Sequence, residues 1–234
     1  MGILRLGHVD VMVTDLDLAT AYYTEVIGLL ETERTEDAVF LKCWDEPNHH
    51  SLRLTYGPRV GMDRMSFMVE RESDLGMFEN RIQAWGYPVQ RISKGEAIGQ
   101  GESIRFETPS GQTMELVHDV EMVGRATAPI NPAPFVEGLK GIAPPRLDHV
   151  LVTAEEVGDA ANFYMEVFGF RMTEQLLDGA GHQAAERPGG AQRHHVDAHD
   201  TAAQRVRRGQ LHDREADRER RHERHAGDEH EQAV

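Results

Sequence analysis

The sequence predicts an α+β fold built from paired βαβββ modules, and three observations predict it. A segment of 30 residues is written twice, strand-type and helix-type apolar spacing alternate inside each copy, and the pattern stops at Gly179, where the composition changes abruptly. The length of 234 residues accommodates one large or two modest domains, since compact domains usually run about 100–200 residues.

The repeat is the primary signal. Arg5-Leu6-Gly7-His8-Val9 returns as Arg146-Leu147-Asp148-His149-Val150. Carried without a gap to Arg34 and Gln175, the alignment holds 12 identities in 30 positions, among them Tyr23/Tyr164, Glu25/Glu166, Val26/Val167 and Gly28/Gly169. Repetition at a fixed spacing marks a structural unit that has been duplicated.

Each copy opens on a strand, residues 6–13 in the first and 147–153 in the second, both rich in β-branched residues. A helix follows. Ala19, Tyr22, Tyr23, Val26 and Ile27 fall at i, i+3, i+4, i+7 and i+8, one apolar stripe at 3.6 residues per turn. Ala160, Phe163, Tyr164, Val167 and Phe168 repeat it, so Tyr23 and Tyr164 are expected in the core. Asp15 or Asp17 suits the N-cap of the first helix, and Gly28 and Gly169 suit the left-handed exit.

Strand-like runs occupy residues 38–44 and 51–56, the second with Leu52, Leu54 and Tyr56 alternating with polar neighbours. A related unit begins near Met65. Its helix carries Leu75, Phe78, Ile82 and Trp85 and ends at Gly86. A hairpin closes it, residues 104–107 and 113–117 joined by Thr108-Pro109-Ser110-Gly111, where proline second and glycine fourth suit a type I turn.

Residues 1–120 therefore predict a complete two-module domain. Residues 121–145 hold Pro129, Pro132, Pro134, Pro144 and Pro145 and predict a linker. Residues 146–179 open a third module at the start of a truncated C-terminal domain, and residues 180–234 form a low-complexity tail. That tail has no Phe, Trp, Tyr or Lys and is dominated by Arg, His, Ala and acidic residues. Such a chain buries too little apolar surface to offset its conformational entropy and is expected to be disordered. Its bias is also what GC-rich codons give when read out of frame. The coding sequence is therefore expected to depart from its natural frame near Gln183; an ordinary charged tail is the alternative.

Composition excludes several classes. The formal net charge of −15 opposes nucleic-acid binding, which needs clustered Lys and Arg. No apolar run approaches the roughly 18 residues of a membrane span, and no leader pattern opens the chain. A single cysteine, Cys43, cannot form an internal disulfide and suits a reducing cytoplasm.

Paired βαβββ units with a strand-borne histidine resemble the vicinal oxygen chelate superfamily and, within it, the extradiol ring-cleaving catechol 2,3-dioxygenases (metapyrocatechases). The matching stretches are Leu6-Gly7-His8-Val9, Leu41-Lys42-Cys43-Trp44, Thr108-Pro109-Ser110-Gly111 with Glu115, Leu139-Lys140-Gly141, and Leu147-Asp148-His149 through Gly169-Phe170 to Glu174-Gln175. The resemblance implies extradiol (meta) cleavage of catechol or alkylcatechols with O2 to a 2-hydroxymuconic semialdehyde, in aromatic compound degradation. It also implies a homotetramer and a mononuclear Fe(II) held by two histidines and one carboxylate, an arrangement that leaves positions open on the ion.

His149 matches the first iron ligand. The second histidine, the glutamate and the acid/base histidine are not recognisable; Ala198-His199-Asp200 and Leu211-His212-Asp213 carry no assigned role. In the N-terminal domain His8 and Glu115 occupy two equivalents of the triad, but Asp63-Arg64 stands at the third, and a guanidinium cannot ligate a cation. This domain is expected to be a metal-free scaffold that supports subunit contacts. His49 and His50 are expected to be solvated in a loop, and His118 to be unrecruited. Two further readings stay open: a metal-free module that binds a small ligand, and an inactive fragment whose unclosed third unit exposes a sheet face and edge. Without a recognisable fourth module the chain itself is expected to be poorly active or inactive, although its lineage is enzymatic.

Overall fold

The computed structural model describes residues 2–125, 136–174 and 195–197. Its centre is one mixed eight-stranded sheet in two halves. The first half consists of β1 (Ile3–Val13), α1 (Leu16–Ala21, continuing as a π-helical turn through Tyr22–Ile27), β2 (Leu30–Arg34), β3 (Ala38–Lys42) and β4 (Leu52–Tyr56). The second consists of β5 (Gly61–Val69), α2 (Ser73–Ala84), β6 (Val89–Ile92), β7 (Ser103–Glu107) and β8 (Thr113–Val117). The strand order is β2-β3-β4-β1-β5-β8-β7-β6. In each half the last strand lies parallel to the first, β4 on β1 and β8 on β5, and the halves join where β1 pairs antiparallel with β5. This is the paired βαβββ architecture the repeat predicts.

Local signals explain the elements. Asp15 caps α1, its Oδ1 accepting from the Leu18 N–H at 2.9 Å, and Gly28 leaves the helix at φ 88°. The Gly111 N–H donates to the Thr108 carbonyl at 2.9 Å and closes the β7–β8 turn. One expectation fails here. Tyr22 and Val26 are exposed, at 51% and 50%, and the inward stripe is the half-buried Leu16, Ala19, Tyr23 and Ile27 against Val39, Leu41, Leu52 and Leu54. The cause is the π turn, in which the Gly28 N–H reaches back five residues to the Tyr23 carbonyl. The wider turn preserves the i, i+4 row and swings the other row outward. Tyr56, at the end of the predicted alternation, is likewise exposed.

The third module departs further from expectation. Residues 147–153 form neither helix nor strand, because no described neighbour offers them an edge. α3 (Val157–Phe168) does form, exits through Gly169 at φ 76°, and leads into β9 (Arg171–Glu174). Its stripe is not left open. Ala160, Phe163, Tyr164, Val167 and Phe168 join Leu75, Phe78 and Ile82 of α2 and Ile104, Phe106 and Met114 of the sheet in a single core. The Arg81 guanidinium donates to the Val167 carbonyl at 3.0 Å beside α2. The helix of the third module is thus sealed against the second module, while β9 belongs to a separate two-stranded sheet.

Residues 175–194 and 198–234, to which the expectations of disorder and of a frame change apply, lie outside the described residues. The three described residues between them form β10 (His195–Asp197), which pairs antiparallel with β9. Among the described residues no helix is long and apolar enough to cross a membrane.

Candidate functional site

Period-two alternation gives β1 two different faces. Val11 and Val13 turn toward the helix layer, while His8 and Asp10 turn to the opposite face of the sheet, where neighbouring strands add Arg53, Arg64, Ser66, Arg105 and Glu115. His8, Asp10, Arg64 and Glu115 are all buried. A half-buried sheet would place this face in water; here it is the lining of a closed cup.

The lining neutralises itself. Asp10 Oδ2 accepts from Arg53 Nη1 at 3.3 Å and pairs with Arg64 Nη2, while its Oδ1 stands 3.5 Å from His8 Nε2. Glu115 Oε2 accepts from Arg105 Nε at 3.0 Å and Nη2 at 2.6 Å, and Oε1 accepts from Gln100 Nε2 at 2.9 Å. His8 Nε2 lies 4.0 Å from Glu115 Oε1. The sequence equivalence of His8 and Glu115 is therefore also a spatial one, with Arg64 beside them.

His49 and His50 are not solvated. Both are buried, one Nδ1 facing the other at 2.9 Å, with His49 Nε2 at 3.0 Å from Glu33 Oε2 and the His50 ring 4.7 Å from His8. Phe40 packs edge-on against both rings. His118 also has a partner, its Nδ1 lying 3.2 Å from the Val69 carbonyl. Asn48, Gln100 and Gly99 complete a narrow cleft over His8, His49 and His50.

Among the described residues the one grouping of three metal-type donors is His8, Asp10 and His50, whose ligand atoms lie within 4.8 Å of one another. The charge around it fits a cation poorly. Asp10 is already shared by two guanidiniums and Glu115 is held by a third, so an added dication would sit in a buried cup whose carboxylates are committed. Arg64 does by geometry what an ion would do by charge.

Burial lowers the pKa of both inner histidines. For His8 desolvation dominates; Asp10 and Glu115 pull it partly back up, and Arg64 and Arg53 push it down. His50 lies well below the ordinary 6.5, again chiefly through desolvation, with His8, His49 and the guanidiniums adding to it. The sign of the linkage follows. The unfolded chain binds protons at these sites below about pH 6.5 while the folded chain refuses them, so stability is full above that value and falls as pH drops. The unfolding free energy from urea titrations is expected to decline between pH 7 and pH 5, by up to about 1.4 kcal/mol per pH unit for each histidine. His50→Gln should flatten the decline, and a native profile already flat over that range would contradict these assignments.

His149 stands apart from this cup. It is exposed, in a segment without helix or strand, and it is not grouped with any second and third donor among the described residues. The cup residues Asp10, Arg53 and Arg105 carry one sequence signal, alternation: charged or polar residues at every second strand position read as a solvated face unless both faces are known to be covered.

Comparison with known proteins places these features in a lineage. Residues 62–121 match the catechol 2,3-dioxygenase-like N-terminal domain, and residues 146–229 match the Glyoxalase/Bleomycin resistance protein/Dioxygenase superfamily, the second match running across the break at Gly179. The chain is 36% identical over 187 residues to metapyrocatechase of Pseudomonas sp. (strain CF600), covering 79% of this chain and 61% of that protein. It is 32% identical over 182 residues to a manganese-dependent 2,3-dihydroxybiphenyl 1,2-dioxygenase of Geobacillus genomosp. 3, covering 74% and 56% respectively. Among solved structures, the 2,3-dioxygenase LapB from Pseudomonas sp. KL28 superposes with a TM-score of 0.73 at 33% identity, over 85% of this chain and 67% of that one. The chain thus spans about three fifths of the length of the curated relatives it matches.

Proposed function

Since the chain belongs to the Glyoxalase/Bleomycin resistance protein/Dioxygenase superfamily, among the extradiol dioxygenases, we propose that it serves extradiol cleavage of catechol or alkylcatechols with O2, yielding a 2-hydroxymuconic semialdehyde. The observation that carries this reading is the correspondence with LapB, which runs over 85% of the chain at 33% identity. The reading extends to a homotetrameric, cytoplasmic enzyme of aromatic compound degradation. A lone, buried Cys43, its thiol pushed up to about 12 mainly by burial and also by Glu46, suits such a compartment, because it is a poor thiolate.

In this reading His149 is a ligand of Fe(II), and its exposed imidazole suits that role. A bound divalent ion would bring the catechol oxygens and O2 together and acidify a catechol hydroxyl. The described residues supply one donor of the three implied, so the contribution of this chain's own side chains is confined here to His149. The buried cup is the scaffold on which that segment is carried, its committed carboxylates leaving His149 as the candidate.

The test is visible by eye. Loaded anaerobically with Fe(II), then given catechol and air, a form of the protein that carries all three iron ligands is expected to produce the yellow ring-fission product. Mn(II) loading tells whether the choice of ion follows the manganese-dependent relative. His149→Ala should abolish the colour and reduce bound metal at least tenfold. Colour that persists in His149→Ala, or after chelation, would refute the assignment.

A further inference from the structure

The segment that leads into the third module is tied to the first module at six places within eight residues. Lys140 Nζ pairs with Glu25 Oε1 at 2.6 Å. The Ile142 N–H donates to the Val26 carbonyl at 3.0 Å, and the Ala143 N–H to the Ile27 carbonyl at 2.8 Å. Trp44 Nε1 donates to the Ala143 carbonyl at 3.0 Å, and the Asp45 N–H to the Pro145 carbonyl at 3.2 Å. The last tie is Glu46, whose Oε1 accepts the Leu147 N–H at 2.8 Å.

Two features mark this contact as built. Gly28 and Gly141 lie so close to the opposing backbone that a Cβ on Gly28 would collide with the Lys140 carbonyl, and one on Gly141 with the Val26 carbonyl. Glu46 is buried, at 6% exposure, yet each of its oxygens takes one main-chain N–H, Oε2 that of Cys43 at 2.9 Å and Oε1 that of Leu147. A carboxylate removed from water is tolerated when its lone pairs meet such donors, and bonds to a charged acceptor are stronger than neutral ones. The carboxylate thus bridges the end of β3 to the chain two residues before His149.

We propose that Trp44 and Glu46 are positioning residues: they latch residues 143–147 onto the first module and so fix the place from which His149 projects. The N-terminal half is then the ruler that locates the metal-binding residue. This bears on the reaction through the reading of His149 given above, whereas the latch itself stands on the geometry alone.

Hydrogen–deuterium exchange on the full-length chain tests it. In the native protein the amides of Ile142, Ala143 and Leu147 are expected to be protected. Glu46→Ala should speed exchange at Leu147 and its neighbours at least tenfold while amides of β1, β4 and β5 and the urea midpoint stay near native. Glu46→Gln, which keeps one acceptor oxygen, should fall between the two. If Glu46→Ala loosens the whole chain, Trp44→Phe decides, since it removes one bond and leaves the Glu46 carboxylate in place; it should speed exchange at Ile142 and Ala143. Native-like exchange over 142–149 in both Glu46→Ala and Trp44→Phe would overturn the proposal. His149→Ala should leave the latch fully protected, so a failed metal assignment and a failed latch produce different results.

Discussion

Replacing Arg64 with alanine is expected to destabilise the protein by about 3–5 kcal/mol, read as a drop in the urea midpoint. The guanidinium is buried and pairs with Asp10, a carboxylate with no exposed surface at all. Without Arg64, Asp10 keeps Arg53 at 3.3 Å through the same Oδ2, and its Oδ1 lacks a hydrogen bond already. An ionised group left so is far costlier than the packing lost with the side chain. The partner experiment separates the two effects. Asp10→Leu combined with Arg64→Met removes both charges and fills the space, and it should recover most of the loss, since a buried pair exchanged for apolar residues is often neutral. A loss below about 1 kcal/mol in Arg64→Ala would mean that the cup does not depend on this pair.

That expectation says what duplication did here. The paired βαβββ units bring a histidine on the first strand of one and a glutamate on the last strand of the other to one interior, as His8 and Glu115 lie within 4.0 Å of each other. Where a cation could complete such a set, β5 supplies Arg64. Its guanidinium pairs with Asp10 while Glu115 accepts from Arg105, so the buried charges are held by fixed partners. Between this cup and the third module lies the Trp44–Glu46 contact, which ties the first half to the segment where the other half begins.

How much of this the sequence disclosed depends on whether the cause is local. Helix caps, glycine exits, the Thr108–Gly111 turn and the apolar strands β3 and β4 were all legible, because each is decided within a few residues. The exposure of Tyr22 and Val26 was not, since a π turn leaves no mark in a 3.6-residue pattern. β6 also escaped notice: Gln90 and Arg91 face solvent at the sheet edge and blur its alternation. His49 and His50 looked like loop residues after Pro47-Asn48, yet Phe40, His8 and Glu33, distant in sequence, enclose or pair with them. The expected strand at residues 147–153 failed for the converse reason. Its residues are suited to a strand, but a strand needs a neighbour, and none of the described residues supplies one. His149 is marked by the repeat, and its ligand role is implied by the family resemblance.

Phe163→Ala is expected to cost about 3–5 kcal/mol and to act first on the third module. Phe163 is fully buried, with its ring centroid 5.5 Å from those of Trp85, Tyr87 and Phe168 and 6.3 Å from that of Phe106. Three of those partners belong to the second module, so a single side chain from α3 is inserted where α2, its exit turn and β7 meet. Edge-on aromatic pairs of this kind contribute beyond the area they bury. Truncation removes a fully buried aromatic ring from the contact, leaving α3 its remaining apolar contacts and ties such as the bond from Arg81 to the Val167 carbonyl. Exchange protection of α3 should therefore fall more than that of α2, which keeps Leu75, Phe78 and Ile82 against the sheet. Phe163→Leu, which restores most of the volume, should recover more than half of the loss. If α3 instead kept its protection in Phe163→Ala, the latch at Trp44 and Glu46 would be the stronger of the two attachments, and the third module would be held by its leading segment rather than by its helix.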